Sequence, residues 1–546
     1  MIRKAQRNIC AKAVIVFGVG LLAAAGQSVF AATLCVNPTG SSGCQATIGG
    51  AVSAAAQGDV IQVAAGTYKE DVNITKTIGL IGAGSATTII DATGLANGIV
   101  IDGTAGGVLG GVVSGFTVEN ANLQGILVQN ASGVTIWNNQ VLNNNKNLTP
   151  TAMGPSCPGL PTAFAQGESF DCGEGIHFSG VDHGVISNNV VQHNAGGILL
   201  SDDTGATHDI VVSGNMVSDN AYDCGITLAS HSVAMGVYHN TITGNQSLRN
   251  GLKAPGAGAG VGIFAAGPGN ETFGNVVINN VLMDNGLPGV TMHNHAAAGV
   301  GGVPAGAPPI LFDNNVIVGN TISGNGADTE DAATPGPTGI NIASIGSADG
   351  TVITGNTITK EAIAIAVKAP AAGQIRAFFN NFTAGTGILN TGSGIVNGTE
   401  NWWGCFGGPA SPACASSMGT NVTVPFLTSP FAASTLPTPP GGGTPVKGVV
   451  TIVVTAGGAT STSNKFQAVG KAITLNASQS SSTAGGSLSF AWTSAPGQPP
   501  VQITGADTAT PTIQFTYRAT YEFTLTVTDS TGSTATATVT VENYAL

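Results

Sequence analysis

The chain has 546 residues, too many for one ordinary core, so more than one domain is expected. Only 8% of residues are charged and 5% aromatic, while 80 are Gly and 42% are apolar, which excludes helical bundles, coiled coils and disorder. Gly does not recur at every third position, so collagen drops out, and a net charge of −12 argues against nucleic acid or an anionic membrane as partner. What remains is a turn-rich, all-β protein.

Residues 1–31 begin with Arg3, Lys4, Arg7 and Lys12, continue with the apolar run Ala13–Ala25 and end in Val29-Phe30-Ala31, with small residues where a signal peptidase cuts. The run is shorter than the roughly 20 residues of a membrane span, so a cleaved secretory signal is predicted. The mature chain is then expected to be soluble, monomeric and without a membrane span: periplasmic, cell-surface or secreted. Losing four cations takes its formal charge from 16 − 28 = −12 to 12 − 28 = −16. Leu34 before Cys35 is too large for a lipid-acceptor site. An exported compartment permits disulfides, and sequence neighbours suggest Cys35–Cys44, Cys157–Cys172 and Cys405–Cys414, leaving Cys224 over or competing for Cys172.

From residue 139 the pattern Asn-x-hydrophobic-x-x-Asn recurs: Asn139/Asn144, Asn189/Asn194, Asn215/Asn220, Asn240/Asn245, Asn280/Asn285 and Asn320/Asn325, continued by Asn356 and Asn381. A few residues later comes Gly-Ile-x-hydrophobic or a near variant, at Gly98, Gly125, Gly175, Gly197, Gly225, Gly262, Gly339 and Gly387, with looser matches at Gly289-Val290 and Ala362-Ile363. Two short strands per unit and a period of 25 or 26 residues mean a stacked solenoid. Leucine-rich frameworks and GGxGxD tandems are absent, so the reading is a right-handed parallel β-helix of about ten coils, a rod of roughly 50 Å. Alternation turns Ile176, Ile198, Ile226 and Ile263 inward.

Ala46–Gly84, ATIGGAVSAAAQGDVIQVAAGTYKEDVNITKTIGLIGAG, resembles the opening segment of the pectin-lyase-like β-helix superfamily: a capping helix, Gly58-Asp59, a strand, Gly66-Thr67-Tyr68, then the first coils. Asn401-Trp402-Trp403-Gly404 followed by Gly408-Pro409 resembles the closing motif of bacterial members, with Trp402-Trp403 as an end cap. The resemblance spans about residues 32–430 and implies a fold rather than an activity, since members include polysaccharide lyases, glycosidases, epimerases, esterases, non-catalytic surface proteins and a copper-maturation factor. Residues 431–447, with TLPTPPGGGTP at their centre, read as a linker. Residues 448–546 turn to Thr, Ser and Val in alternating strands, a small β-sandwich in which ITLNASQS, the Trp492 strand and YEFTLTVTDSTGSTATATVTV resemble PKD-type immunoglobulin-like domains. The turn that is acidic in that family, Ser480–Gly486, has no carboxylate here, and adhesion or spacing is its expected use.

Long loops at 146–173, 246–261, 296–309 and 326–338 flank the Gly-Ile strand, and all eight histidines fall between 177 and 295. The third position of that strand faces outward and includes His177; its sixth and seventh positions supply Asp202 and Asp203, then Ser230 and His231, then His295, so Asp203, His231 and His295 are expected in one vertical row. Between 147 and 359 sixteen acids face only two cations, Arg249 and Lys253, in the loop expected above that row. A uronate polysaccharide lyase or epimerase needs a base beside the sugar carboxylate, with Lys253, Arg249 or His231 as candidates and His177 beside them, and a cation, with Asp202, Asp203, Asp209 and Asp223 as ligands for Ca2+. A glycoside hydrolase would use Asp202-Asp203 with Asp223 or Glu174. Phe178, Tyr222, Tyr238 and Phe264 are candidate sugar-stacking rings, and His293-x-His295 is a candidate copper pair. Asp202-Asp203-Thr204-Gly205 also has the composition of a plain turn. The leading expectation is an exported enzyme on an extracellular polysaccharide or cell-wall glycan, against a non-catalytic surface protein or a metal-handling one.

Overall fold

The structure, a computed structural model, describes residues 32–151, 154–164, 174–253, 258–294, 306–329, 334–369 and 375–431, and in the C-terminal part 450–456, 459–460, 464–469, 471–482, 488–495, 501–515, 519–529 and 534–545. The predicted signal, residues 1–31, and most of the predicted linker lie outside them.

Residues 33–422 wind into a right-handed parallel β-helix. Each full coil contributes three strands rather than the two expected, as in Val185–Ser187, Val190–Gln192 and Gly196–Ser201. The one missed is only three residues long and reads as part of a turn. Strands stack coil on coil into three walls, all pairings in them parallel. The first wall holds fourteen strands among the described residues, so the rod is about 60 Å long rather than 50 Å. The second and third walls are joined where Thr357–Lys368 and Asn381–Asn390 run through the corner without a break.

Inside the third wall Ile126, Ile176, Ile198, Ile226, Val261 and Val290 form one column, and Val128, Phe178, Leu200, Leu228, Ile263 and Met292 the next. All are buried, and they supply the apolar burial that drives folding. Two registers differ from the sequence reading. Val261, not Ile263, pairs Ile226, and Ile365, not Ile363, pairs Ile340. A slip of two residues keeps every side chain on the same face, so apolar alternation cannot detect it. Phe178, expected as an outward ring, is a core residue. The recurring Gly opens each of these strands because a Cβ at Gly125, Gly175 or Gly197 would press into a valine of the second wall and the next coil's carbonyl oxygen.

At the corners, buried asparagines stack. One ladder climbs Asn139, Asn189, Asn215, Asn245, Asn280, Asn320, Asn356, Asn380 and Asn401, each Nδ2 donating to the next Oδ1 at 2.9–3.2 Å. A second climbs Asn144, Asn194, Asn220, Asn250, Asn285 and Asn325 and ends on the carboxylate of Glu361. Asn240 belongs to a third, with Asn275 and Asn315, and Asn380 takes the rung expected of Asn381. The step from Asn215 is therefore 30 residues, because the turn at 231–236 lengthens that coil. Before each rung of the first two ladders the backbone turns left-handed, at Asn188, His193, Gly214, Asp219, Gly244 and Arg249 among others. That conformation favours Gly, Asn, Asp and His and gives the sequence its Gly-Asn and Asn-Asn pairs.

The short helix Ile48–Ala54 closes the first coil, capped by Thr47 and by the Glu70 carboxylate, which accepts from Ile48 N and Gly49 N. At the other end Trp403 is fully buried against Phe382, as an end cap requires. Disulfides join Cys35 to Cys44 and Cys405 to Cys414 as expected; Cys157 is also disulfide-bonded, to a residue outside the described ones, and Cys224 is a buried thiol. The C-terminal part is a β-sandwich with its own core, two sheets of five and four strands among the described residues, around Trp492, Tyr521, Phe523, Leu525 and Val541. Trp492 Nε1 donates to Thr508 O at 3.0 Å.

Glu361 tests the ladder. Burial, and more weakly the charge of Asp284, raise its carboxyl above the ordinary glutamate range, against hydrogen bonds from Asn325 and Gly324 that lower it. A raised carboxyl contributes stability that is complete below the unfolded value and lost as pH rises through the folded one. Glu361→Gln, neutral throughout, is expected to melt a few degrees above the parent at neutral pH, with the gain shrinking toward about pH 4, in paired thermal melts.

Candidate functional site

The outer face of the third wall carries the candidate site. Strands Glu174–Ser179, Gly196–Ser201, Ile226–Ser230, Val261–Ala265 and Val290–His293 lie side by side, and their outward positions run Leu127, His177, Leu199, Thr227, Gly262, Thr291 in one column and Ser179, Ser201, Ala229, Phe264, His293 in the next. Outward does not mean exposed here, since every one of these residues from His177 on is buried. Phe164, from the long 146–173 insertion, meets the His177 ring edge-on at 5.4 Å.

A directional chain of hydrogen bonds crosses this face. Glu174 N donates to Gln124 Oε1 at 2.9 Å, which orients that amide so that Nε2 faces His177 Nδ1 at 3.2 Å. The network then assigns the His177 proton to Nε2, which donates to Ser201 Oγ at 2.8 Å. Ser201 donates in turn to Asp203 Oδ2 at 2.6 Å, and Asp203 Oδ1 accepts from His231 Nδ1 at 2.9 Å. His177 Nε2 itself lies 3.9 Å from Asp203 Oδ2. Burial pushes the Asp203 carboxyl up, yet the hydrogen bond from His231, the proximity of His231 and His177 and the Ser201 hydroxyl outweigh it and hold the group below its ordinary range. Asp203 is thus an anion that fixes His231 with its proton on Nδ1, so the basic nitrogen of this tautomer is Nε2.

One coil on, Phe264 packs between two imidazoles, with ring centroids 5.9 Å from His231 and 5.8 Å from His293. His293 forms a second pair of the same kind, Nδ1 to Asp328 Oδ2 at 2.9 Å, with Asn341 Nδ2 on the same oxygen at 3.2 Å and Thr291 Oγ1 3.3 Å from Nδ1. Sequence reasoning missed Gln124, Ser201, Asp328 and Asn341. Asp328 was hidden in the 326–338 insertion, where nothing in the spacing marks one carboxylate among several; Ser201 and Asn341 sit at outward strand positions that could have been counted.

The other expected residues stand elsewhere. Asp202 is fully buried and accepts four hydrogen bonds, from Ser230 Oγ at 2.7 Å and from the backbone N–H of His231, Ser232 and Gly236 at 2.6, 3.0 and 2.8 Å. It is the turn residue of the plain reading, saturated by donors that a metal or a substrate would have to displace. Arg249 occupies a left-handed turn and holds Asp219 through two bonds of 2.8 and 2.7 Å. Lys253 is exposed, its N–H bonded to Ala221 O. Both flank the start of the third-wall strands, with Asp223, whereas His231 follows their end, beyond a five-residue strand that spans about 16 Å. Neither cation opens above the histidine row, because the loop was placed by its sequence neighbours and not by the end of the strand it joins. Asp209, left-handed and exposed, binds His208 Nδ1 at 2.8 Å on the corner where His208 stacks on Tyr238 and Tyr238 on Phe273. His183, His193 and His239 are left-handed turn residues too, so part of the histidine clustering is turn chemistry. His295 lies outside the described residues.

Among the described residues no three His, Cys, Asp or Glu side chains converge as a metal cage. Asp202, Asp203, Asp209 and Asp223 are dispersed over both ends of the wall and do not fit one Ca2+ ion, which takes six or more oxygens at one point.

Residues 78–282 match the family model described as right handed beta helix region, and residues 462–542 match a family model described as a PKD domain. Over those stretches the chain thus carries a right-handed β-helix region and a PKD domain, the fold and module that the sequence implied. A search of curated proteins finds no match. Similar solved structures include the PKD domain from KIAA 1837 protein, 27% identical over 15% of this chain and 78% of that one, TM-score 0.14. The alginate lyase from Paenibacillus sp. str. FPU-7 is 13% identical over 71% of this chain and 99% of that one, TM-score 0.35; the Dettilon tailspike protein, 14% over 92% and 90%, TM-score 0.39. These scores carry no argument about activity.

The division of labour between neighbouring aspartates is open to measurement. Asp202→Ala leaves a hydroxyl and three N–H groups without their acceptor and is expected to cost about 3–5 kcal/mol, read from the denaturant midpoint. Lys253→Ala, at an exposed turn, is expected to stay within about 0.5 kcal/mol.

Proposed function

We propose that the protein is an exported enzyme acting on an extracellular uronate polysaccharide, removing the proton beside the sugar carboxylate as a lyase or epimerase does. The observation that carries this reading is the ionised, buried Asp203 held between His231 and Ser201 on the outer face of the β-helix. A histidine with Nδ1 fixed by a carboxylate has Nε2 as its proton-accepting atom, and the abstraction converts it to an imidazolium that the same carboxylate stabilises. His231 is the base, Asp203 its partner, and His177, through Ser201, a positioning residue. The disulfides suit the oxidising compartment that export implies.

Hydrolysis is less well supported by the same geometry. It needs one carboxyl kept protonated, whereas Asp203 is held ionised and both Asp202 oxygens accept from N–H or O–H donors. Arg249 and Lys253 stand at the other end of the third-wall strands, and among the described residues no three His, Cys, Asp or Glu side chains converge on a cation. A non-catalytic surface protein would bind glycan without releasing product, and a copper-handling one would bind metal through His293 and His295.

Purified protein incubated with acidic and neutral polysaccharides, with and without calcium, is expected to raise the ultraviolet absorbance of unsaturated uronates, or to invert C5, on an acidic polymer. His231→Gln is expected to lower that rate at least about 100-fold, while Arg249→Ala and Lys253→Ala leave it near the parent's. Reducing ends without unsaturation, or full activity in His231→Gln, overturns the assignment.

A further inference from the structure

We infer that the outer face of the first wall is a dimer interface, where two copies of this chain meet about a two-fold axis. The inference does not depend on the histidine chemistry of the third wall.

A typical first-wall strand has its middle residue in the core and its first and third residues outward, as in Val185–Ser187, whose Ile186 is fully buried. From Val60 to Val316 these strands pair first residue to first and third to third, so the outward side chains stand in two straight columns. The first column contains Val112, Val185, Val211, Val276 and Val316, with threonine in the two intervening coils, and all are half-buried. Val276-Val277-Ile278 and Val316-Ile317-Val318 are apolar at every position. A sheet with one wet face alternates apolar and polar residues, whereas unbroken apolar strands are those of a sheet covered on both sides.

Charge makes the same distinction. The chain has 28 acids and 16 lysines and arginines, yet no outward position of the first wall from Val60 to Val318 carries one. The second wall, by contrast, sets Asp91 beside Glu119 on its outer face. An uncharged valine band offers a uronate polymer neither a cation nor a row of donors. Its partner must be apolar too. Among the described residues the C-terminal sandwich exposes no large apolar side chain that would match it, so the chain's own second domain is a poor fit.

A second copy fits because the band is complementary to itself. In the other column Trp137, 42% exposed, rises next to Ser114 and Ser187, and Ser213 follows one coil on, so a projecting ring lies beside a row of small side chains. A two-fold axis along the strand direction lays valine column on valine column and sets each Trp137 over the other copy's serines, as an isologous contact requires. Nine strands at about 4.8 Å make a band about 40 Å long and about 10 Å wide. Two such faces bury on the order of 1,000 Å² in all, the size at which a specific interface becomes stable.

The purified protein is sedimented over a range of micromolar concentrations beside Val211→Lys, Trp137→Ser and Met216→Lys, with circular dichroism on each. The parent is expected to run at twice the chain mass. Val211→Lys buries a charge in the contact and Trp137→Ser removes its central ring, so each is expected to raise the dissociation constant at least about 20-fold with an unchanged spectrum. Met216→Lys, at an exposed position on the outer face of the second wall, is expected to stay dimeric. A monomeric parent, which the composition first suggested, overturns the inference. So does a parent dimer that survives both first-wall substitutions or is lost equally in Met216→Lys. If the parent is monomeric and Trp137 is still shielded from acrylamide quenching, judged against Trp137→Ser, the face is covered within one chain and the inference fails in that way.

Discussion

Everything in the β-helix depends on stacking each coil directly on the last, and the buried amide ladders set that stacking. An asparagine inside a corner satisfies its own N–H, its side chain and a neighbouring carbonyl by repeating the same contact one coil up, as Asn215 does with Asn245 and Ile186. A single rung out of place would leave buried polar groups unmet on both sides, at a cost of about 1–3 kcal/mol each. The ladder therefore tolerates insertions only between rungs, which is why coils range from 21 residues, at Asn380 to Asn401, to 50, at Asn139 to Asn189, without loss of register.

That tolerance is what builds the site. The described ends of the long insertions adjoin the third wall, whose stacked strands hold His177, Ser201, Phe264 and His293 at fixed positions. Asp202 and Asp203 show how closely structure and chemistry are interleaved. One residue apart at the end of the same strand, they point to opposite sides: Asp202 toward the turn it closes, Asp203 toward the histidines. Both are buried carboxylates, and only their donors tell them apart. Asp202 takes three backbone N–H groups and the Ser230 hydroxyl, none of which titrates, whereas Asp203 takes a titratable imidazole beside its hydroxyl.

The fold was legible because its signals are local. Asparagine before a short apolar pair, Gly-Ile at the opening of a strand, the capping segment, the double tryptophan and the Thr-rich alternation each act over a few residues, and the structure holds them as read. The disulfides of nine-residue separation were legible for the same reason. Where the reading slipped, at Gly262, Ala362, Asn240 and Asn381, two similar residues lay within five of each other, and only the hydrogen-bonded partner in the next coil distinguishes them.

The site was legible in part. The pairing of His231 with Asp203 follows from counting along stacked strands, since residues at equal height in adjacent coils must meet. Sequence also determined the winding, the inward column and the need for left-handed turns, all consequences of a repeating backbone. Only the tertiary structure decided that Asp202 is spent on a turn, that Arg249 and Lys253 attend the far end of the strands, and that Asp328 reaches His293. Those are matters of where an irregular loop ends and which donors surround a carboxylate, and neither is carried by the period. The physical reason is that the repeat sets the height of every strand residue, while an insertion's path is set by the side chains it happens to cover.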